Sequence, residues 1–209
     1  MYVLFAACNK EQDLSTIDLG YAFFPAEVGS FIIYDVDSVF YGSATSTYHY
    51  QVMEELTGAF VDDEGQDAVY VERSYRNAPS GPWLLMDVWT QRRTPTTAEK
   101  VEENMRYIKM KFPVKDGDTW NGNGFNNFAA QQYKFKDLNA FKDVGVLQFE
   151  KTVTVEEKNN VNLIDQEIFY EIYAPGIGMV SRRACDISYS AGAPSGFDVI
   201  YSAVLYGKD

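Results

Sequence analysis

Tyr170-Glu171-Ile172-Tyr173-Ala174-Pro175-Gly176-Ile177-Gly178-Met179-Val180-Ser181-Arg182 is the stretch on which the fold turns. An extended run of aromatic and β-branched residues stops at Ala-Pro-Gly and resumes past a second glycine. Proline holds its φ near about −65°, and the next position is left free to reverse the chain. The stretch therefore reads as two antiparallel strands joined by a tight turn, with Pro175, Gly176 and Gly178 as its turn residues and positive φ at Gly176 or Gly178.

Strand signals continue on both sides. Downstream lie residues 179–188 and then 197–206, where Phe197, Val199, Tyr201, Ala203 and Leu205 line one face. Upstream, Leu147, Phe149, Val153 and Val155 alternate with Gln148, Glu150, Thr152, Thr154 and Glu156, a strand with one buried and one solvated face. Residues 163–173 oppose Ile164, Ile168, Tyr170 and Ile172 to Asp165, Glu167 and Glu171.

The first part of the chain carries the same signature. Residues 31–41 form a strand entered through Phe24-Pro25-Ala26-Glu27-Val28-Gly29. Tyr48, Tyr50, Val52 and Leu56 alternate with His49, Gln51 and Glu55, and an acidic turn over residues 62–67 leads into a strand over 68–76.

Residues 83–90 carry Leu84, Met86 and Val88 on one face and Trp83, Leu85, Asp87 and Trp89 on the other. A strand apolar on both faces is central in a layered structure or lines a cavity with its second face. Trp83, Leu85 and Trp89 are accordingly the candidate binding face for an apolar small molecule, the alternative being ordinary core.

Residues 94–111 support two readings. Thr94 and Pro95 could open a short helix with Ala98, Val101, Met105 and Ile108 on one side. Ile108, Met110 and Phe112 also alternate with Lys109 and Lys111, and Glu103-Asn104 can turn a hairpin; the hairpin is the reading adopted. Phe112-Pro113-Val114-Lys115-Asp116-Gly117 echoes residues 24–29, which suggests two related β halves, about 21–94 and 110–206, within a single β domain over 21–209.

Composition agrees with a β fold. Aromatics make up 15% of the 209 residues, with 15 Tyr and 14 Phe, types suited to half-buried pleated surfaces. The expected fold class is mainly β: an antiparallel, strongly curved sheet or open half-barrel with at most one short helix, or alternatively a two-layer β-sandwich. A formal net charge of −12 argues against nucleic acid as a partner and against a basic patch for anionic lipid.

Little in the chain suggests catalysis. His49 is the single histidine, no nucleophile-elbow sequence accompanies it, and Cys185 reads as a small core residue. Asp62, Asp63, Glu64 and Asp67, and again Asp116, Asp118, Asn121 and Asn123, crowd oxygen donors, but neither group matches a calcium loop because Trp120 falls at a ligand position. Paired acids such as Asp35 and Asp37, or Glu102 and Glu103, are commonplace on solvated edges. The expectation is no enzyme, no catalytic residue, no metal and no cofactor.

At the N-terminus, Tyr2-Val3-Leu4-Phe5-Ala6-Ala7-Cys8 is apolar, ends in small residues and gives way to Asn9-Lys10-Glu11-Gln12-Asp13. This resembles the end of a bacterial lipoprotein signal peptide, with Phe5 where an aliphatic residue is usual. Residues 1–7 then read as residual signal peptide, Cys8 as the lipidation site and residues 8–20 as a lipid-anchored tether. The basic segment and most of the apolar segment expected upstream are not in the sequence, so its start reads as truncated or misassigned.

Phe112-Pro113 with Gly117 and Trp120, followed by Ala174-Pro175-Gly176-Ile177-Gly178-Met179-Val180, resembles uncharacterised bacterial envelope lipoproteins over roughly residues 110–206. The resemblance implies an open half-barrel like the periplasmic lipoprotein-carrier (LolA-like) fold, and no catalytic residue. The functional expectation is a non-enzymatic lipoprotein of the bacterial cell envelope, tethered to the outer membrane on the analogy of Asn9 after the cysteine. It would bind or carry an apolar ligand in a concave β face; alternatively it is an interaction module for a glycan or an envelope protein.

Overall fold

In the computed structural model, which describes residues 18–208, each strand hydrogen-bonds to its neighbours in an antiparallel meander. The strands are β1 (Ser30–Tyr41), β2 (Ser46–Val61), β3 (Asp67–Arg76), β4 (Leu84–Arg93), β5 (Thr97–Glu102), β6 (Met105–Lys111), β7 (Thr119–Asn121), β8 (Gln132–Val144), β9 (Leu147–Val161), β10 (Asp165–Ala174), β11 (Gly178–Ser190) and β12 (Ala193–Lys208). They form one 12-stranded sheet in the order β6-β5-β4-β3-β2-β1-β12-β11-β10-β9-β8-β7.

β1 pairs with β12 along its whole length, from Ser30 opposite Lys208 to Tyr41 opposite Gly196, so the seam falls between β6 and β7 in mid-chain. That seam is nearly shut. Ile108 donates its N–H to Gly122 O at 2.9 Å, Trp120 Nε1 donates to Ile108 O at 2.8 Å, and Asn126 Nδ2 donates to Arg106 O at 3.0 Å.

The result is a nearly closed barrel, more closed than an open half-barrel, and a single sheet in place of the alternative sandwich. Among the described residues the helical content is one 3₁₀ turn, Tyr21–Phe23. Residues 94–111 are the hairpin β5–β6, with Glu103 and Asn104 at φ of 48° and 63°, the paired positive φ of a type I′ turn.

The opening stretch is the β10–β11 hairpin. Ile177 N–H bonds Ala174 O at 3.2 Å around Pro175 and Gly176, and Gly176 has φ of 77° while Gly178, the first residue of β11, has 105°. Proline at the second position and positive φ at the third are the requirements of a type II turn. Its outer edge is used as well, since Gly176 N–H donates to Ala22 O at 2.7 Å.

Ala22 belongs to a plug that closes this end of the barrel. Leu19 O accepts from Val114 N–H at 3.0 Å, Arg93 Nη1 bonds Tyr21 O and Phe24 O, and Gln91 Nε2 bonds Pro25 O. Phe23 and Phe24 are buried over Ile32, Tyr34, Tyr173 and Met179. Burying two phenylalanines is worth about 1.5–3 kcal/mol each, enough to hold a short irregular segment in place.

Candidate functional site

A barrel of this width must be filled, and here it is filled by two chemistries. Apolar side chains such as Val36, Val52, Met110, Phe135, Val153 and Val155 form the main core. Beside that core, which includes the plug's Phe23 and Phe24, stands a network of paired charges.

Lys109 is the centre of the first group. It lies in a β-bulge, where β5 pairs Ala98 with Met110 and Glu99 with Ile108, so Lys109 is left over and both it and Met110 are buried. Its ammonium bonds Glu171 Oε1 at 2.8 Å and stands 3.1 Å from Glu102 and 3.5 Å from Glu157. Partly buried Arg182 completes the group at 4.0 Å from Glu102 and 3.9 Å from Glu171, and Tyr173 donates its hydroxyl to Glu171 Oε2 at 2.6 Å.

Arg73 is the centre of the second. Its guanidinium bonds Glu54 and Asp87, each at 3.0 Å, and Glu54 also accepts from Lys100 Nζ at 2.8 Å.

Burial by itself raises Glu54, Glu102, Glu157 and Glu171, and the neighbouring cations oppose it. Lys109 and Arg182 overcome burial at Glu102 and hold it at about 2, and they lower Glu171 too. Lys100 and Arg73 do the same for Glu54. At Glu157 burial wins and the carboxyl is raised; its Oε1 is buried without a hydrogen bond.

The space left over is small. A cavity of about 60 Å³ lies under the plug, lined by Phe24, Leu56 and Met179 on one side and by Glu54, Lys100 and Glu171 on another. A binding site for an organic ligand usually has about 300–1,000 Å³, so this one suits a few waters. A larger open depression of about 520 Å³ flanks the plug outside the barrel, bounded by Phe31, Ile177 and Tyr206 and by Glu27, Arg93 and Lys208.

The expected ligand face is not assembled. β3 pairs Arg73 with Asp87 and Ser74 with Leu85, so a bulge at Met86 reverses the alternation and puts Leu85 on the side opposite Asp87 and Trp89. Trp89 is buried, with the Arg73 guanidinium 3.7 Å from its ring centre and its Nε1 donating to Glu103. Leu85 is 63% exposed, and Trp83 stacks under Arg76 outside the β4 strand.

Other sequence expectations fall as follows. The pairing of Ile172 with Ser181 and of Glu171 with Arg182 puts Glu171 inside and Ile168, Tyr170 and Ile172 on the opposite side, the reverse of a strand whose acids face water. Leu205 also leaves the face of Ala203, because a bulge shifts the register of β12 on β1. Asp62 and Glu64 are taken by Arg92 at 2.5 and 2.8 Å. His49 is on the surface, 2.8 Å from Asp37, and Cys185 is buried. Cys8, residues 1–7 and most of the tether lie outside the described residues.

No protein-family model and no curated protein matches the chain. Two solved structures are similar in outline. One, from Bacteroides fragilis NCTC 9343, is described as an exported protein with a YmcC-like fold; at 15% identity and a TM-score of 0.45 it covers 89% of this chain and 99% of its own. The other, from Parabacteroides distasonis ATCC 8503, is described as a lipoprotein; at 12% identity and a TM-score of 0.39 it covers 88% of this chain and 98% of its own. Likeness at this level carries no argument about function.

Proposed function

We propose that this chain is a non-enzymatic domain of the bacterial cell envelope, held at a membrane through an acylated Cys8. It works as an interaction module through its outer surface. The tethering half of this reading rests on Leu4-Phe5-Ala6-Ala7-Cys8 and the switch to charged residues after it.

The observation that carries the other half is the state of the interior. Trp89, the one member of the expected ligand face that turns inward, is covered by Arg73, and the cavity of about 60 Å³ under the plug is partly lined by the paired side chains of Glu54, Lys100 and Glu171. Burying an acyl chain there would require breaking ion pairs already withdrawn from water.

Mass spectrometry of the protein extracted from its native membrane in detergent tests both halves. The expected spectrum shows a diacylated N-terminal Cys8 and no co-purifying lipid in stoichiometric amount. An unmodified Cys8 overturns the tether, and one lipid retained per chain overturns the interaction-module reading in favour of a carrier.

A further inference from the structure

The two ends of the barrel differ in chemistry. In a meander, alternate connections share an end, so residues 62–66, 94–96, 112–118, 145–146 and 175–177 lie with the plug. That end exposes Val61, Phe141 and Val146, but its connections carry Asp62, Asp63, Glu64, Lys115, Asp116 and Asp118.

The far end is formed by residues 42–45, 77–83, 103–104, 122–131, 162–164 and 191–192. Across these six connections Glu103 is the one charged residue among the described residues, in a chain whose formal charge is −12. Apolar side chains stand out from the same rim: Leu163 at 97% exposure and Ile164 at 61% on the β9–β10 turn, Leu85 at 63% beside the β3–β4 connection, and Phe125 and Phe128 at 53% and 55% in the β7–β8 connection.

We infer that this crown is a contact surface for a lipid bilayer, into which the turn tips insert. Three observations favour lipid over a protein partner. The apolar groups come in small sets from separate places on the rim, Leu163 with Ile164, Phe125 with Phe128, and Leu85 with its exposed β4 neighbours, and Leu163 is almost wholly free of packing, whereas protein interfaces rely on packed patches with aromatic or arginine anchors in pockets. A fluid hydrocarbon layer accepts scattered protrusions without shape complementarity. The near absence of charge from the connections means that sinking the tips desolvates few ions, the main cost of entering a bilayer. With no basic cluster in these connections and a strongly acidic molecule behind them, the surface should be zwitterionic lipid, since anionic lipid would repel it.

The inference does not depend on acylation of Cys8, and the test keeps the two apart. Full-length Cys8→Ser protein, which cannot be acylated there, is mixed with phosphatidylethanolamine/phosphatidylcholine vesicles and floated on a density gradient. The protein should float with the vesicles, and adding phosphatidylglycerol should not strengthen the association. A further Leu163→Asp/Ile164→Asp change, at positions too exposed to endanger folding, should weaken it at least about tenfold with an unaltered circular dichroism spectrum. Absence of flotation in the parent, or equal flotation of the aspartate variant, overturns the proposal. So does a parent that is dimeric by light scattering and becomes monomeric on the aspartate change, because the crown would then meet a second copy.

Discussion

Lys109 Nζ and Glu171 Oε1 stand 2.8 Å apart, although β6 and β10 lie on opposite sides of the seam and are not neighbours in the sheet. The pair spans the barrel interior where backbone pairing between β6 and β7 is sparse. It fixes the two flanks of the seam at one separation and draws Glu102, Glu157 and Arg182 around itself. The seam thus depends on side chains more than any other junction in the sheet.

Removing Lys109 should therefore be costly. Lys109→Met leaves Glu102 and Glu171 with Arg182 at about 4 Å as their nearest cation, and breaking one side of a buried pair costs about 3–5 kcal/mol. Urea denaturation at neutral pH should show that loss. The deficit should shrink at acidic pH, where the stranded carboxylates can be protonated.

Acid sensitivity follows from the same cluster. Glu102 falls from an ordinary value of 4.5 to about 2 on folding. A lowered folded pKa contributes stability that is full above the unfolded value and disappears as pH falls through the folded one. Stability should decline between about pH 4.5 and 2, by about 3 kcal/mol from Glu102, with Glu54 and Glu171 adding in the same direction. Glu102→Gln should lower stability at pH 7 and leave it little changed at pH 2, as thermal unfolding across pH would show.

Glu157 should behave in the opposite sense. Its folded pKa is raised by burial, so its favourable contribution is present below the unfolded value and fades as pH rises through the folded one. Glutamine mimics the protonated form. Glu157→Gln should be as stable as the parent under acid and more stable at neutral and alkaline pH, a divergence visible in paired melting curves.

The sequence showed the strands far better than their inner faces. Alternation located the strands except β7 and β8, Glu103-Asn104 located the β5–β6 turn, and Pro175-Gly176 located the turn that meets the plug. Period-two patterning assumes that apolar means inside and that no residue is inserted. Both assumptions fail here. The interior carries ion pairs, so Glu171 sits inside although alternation assigns its face to water, and Glu54 lies on the inner face between Val52 and Leu56 as a charge where an apolar residue is expected. Bulges at Met86 and Lys109, and the unpaired Glu157 between β9 and β10, shift the phase within single strands. A bulge leaves no local signature in composition, which is why Leu85 was grouped with Trp89. The closing of β1 on β12 joins opposite ends of the chain and has no short-range signal either. Leu163, Ile164 and Leu85 read as strand residues and their place at an exposed rim was not visible, because exposure depends on what the rest of the fold leaves uncovered.

Gly176 and Gly196 both have positive φ and should respond differently to an added Cβ. Gly176, at 77°, would meet nothing within 4 Å if given a Cβ, so Gly176→Ala carries only the backbone cost of the left-handed region, about 1 kcal/mol, with valine worse because its branched side chain is less tolerant there. Gly196 in β12 has φ of 132°, and a Cβ there would lie 1.9 Å from Asp186 O and 2.9 Å from its carbonyl carbon. Those atoms belong to the backbone of β11, paired with β12 in the wall that joins the first and last strands to the rest, and they cannot rotate away as a side chain would. Gly196→Ala must either pry β11 from β12 or leave the clash in place, and should cost about 3 kcal/mol or more. Chemical denaturation of the two alanine variants side by side decides the point: comparable losses would show that the β11–β12 junction gives way freely at Gly196, while a loss at least twice as large there would show that the wall is rigid.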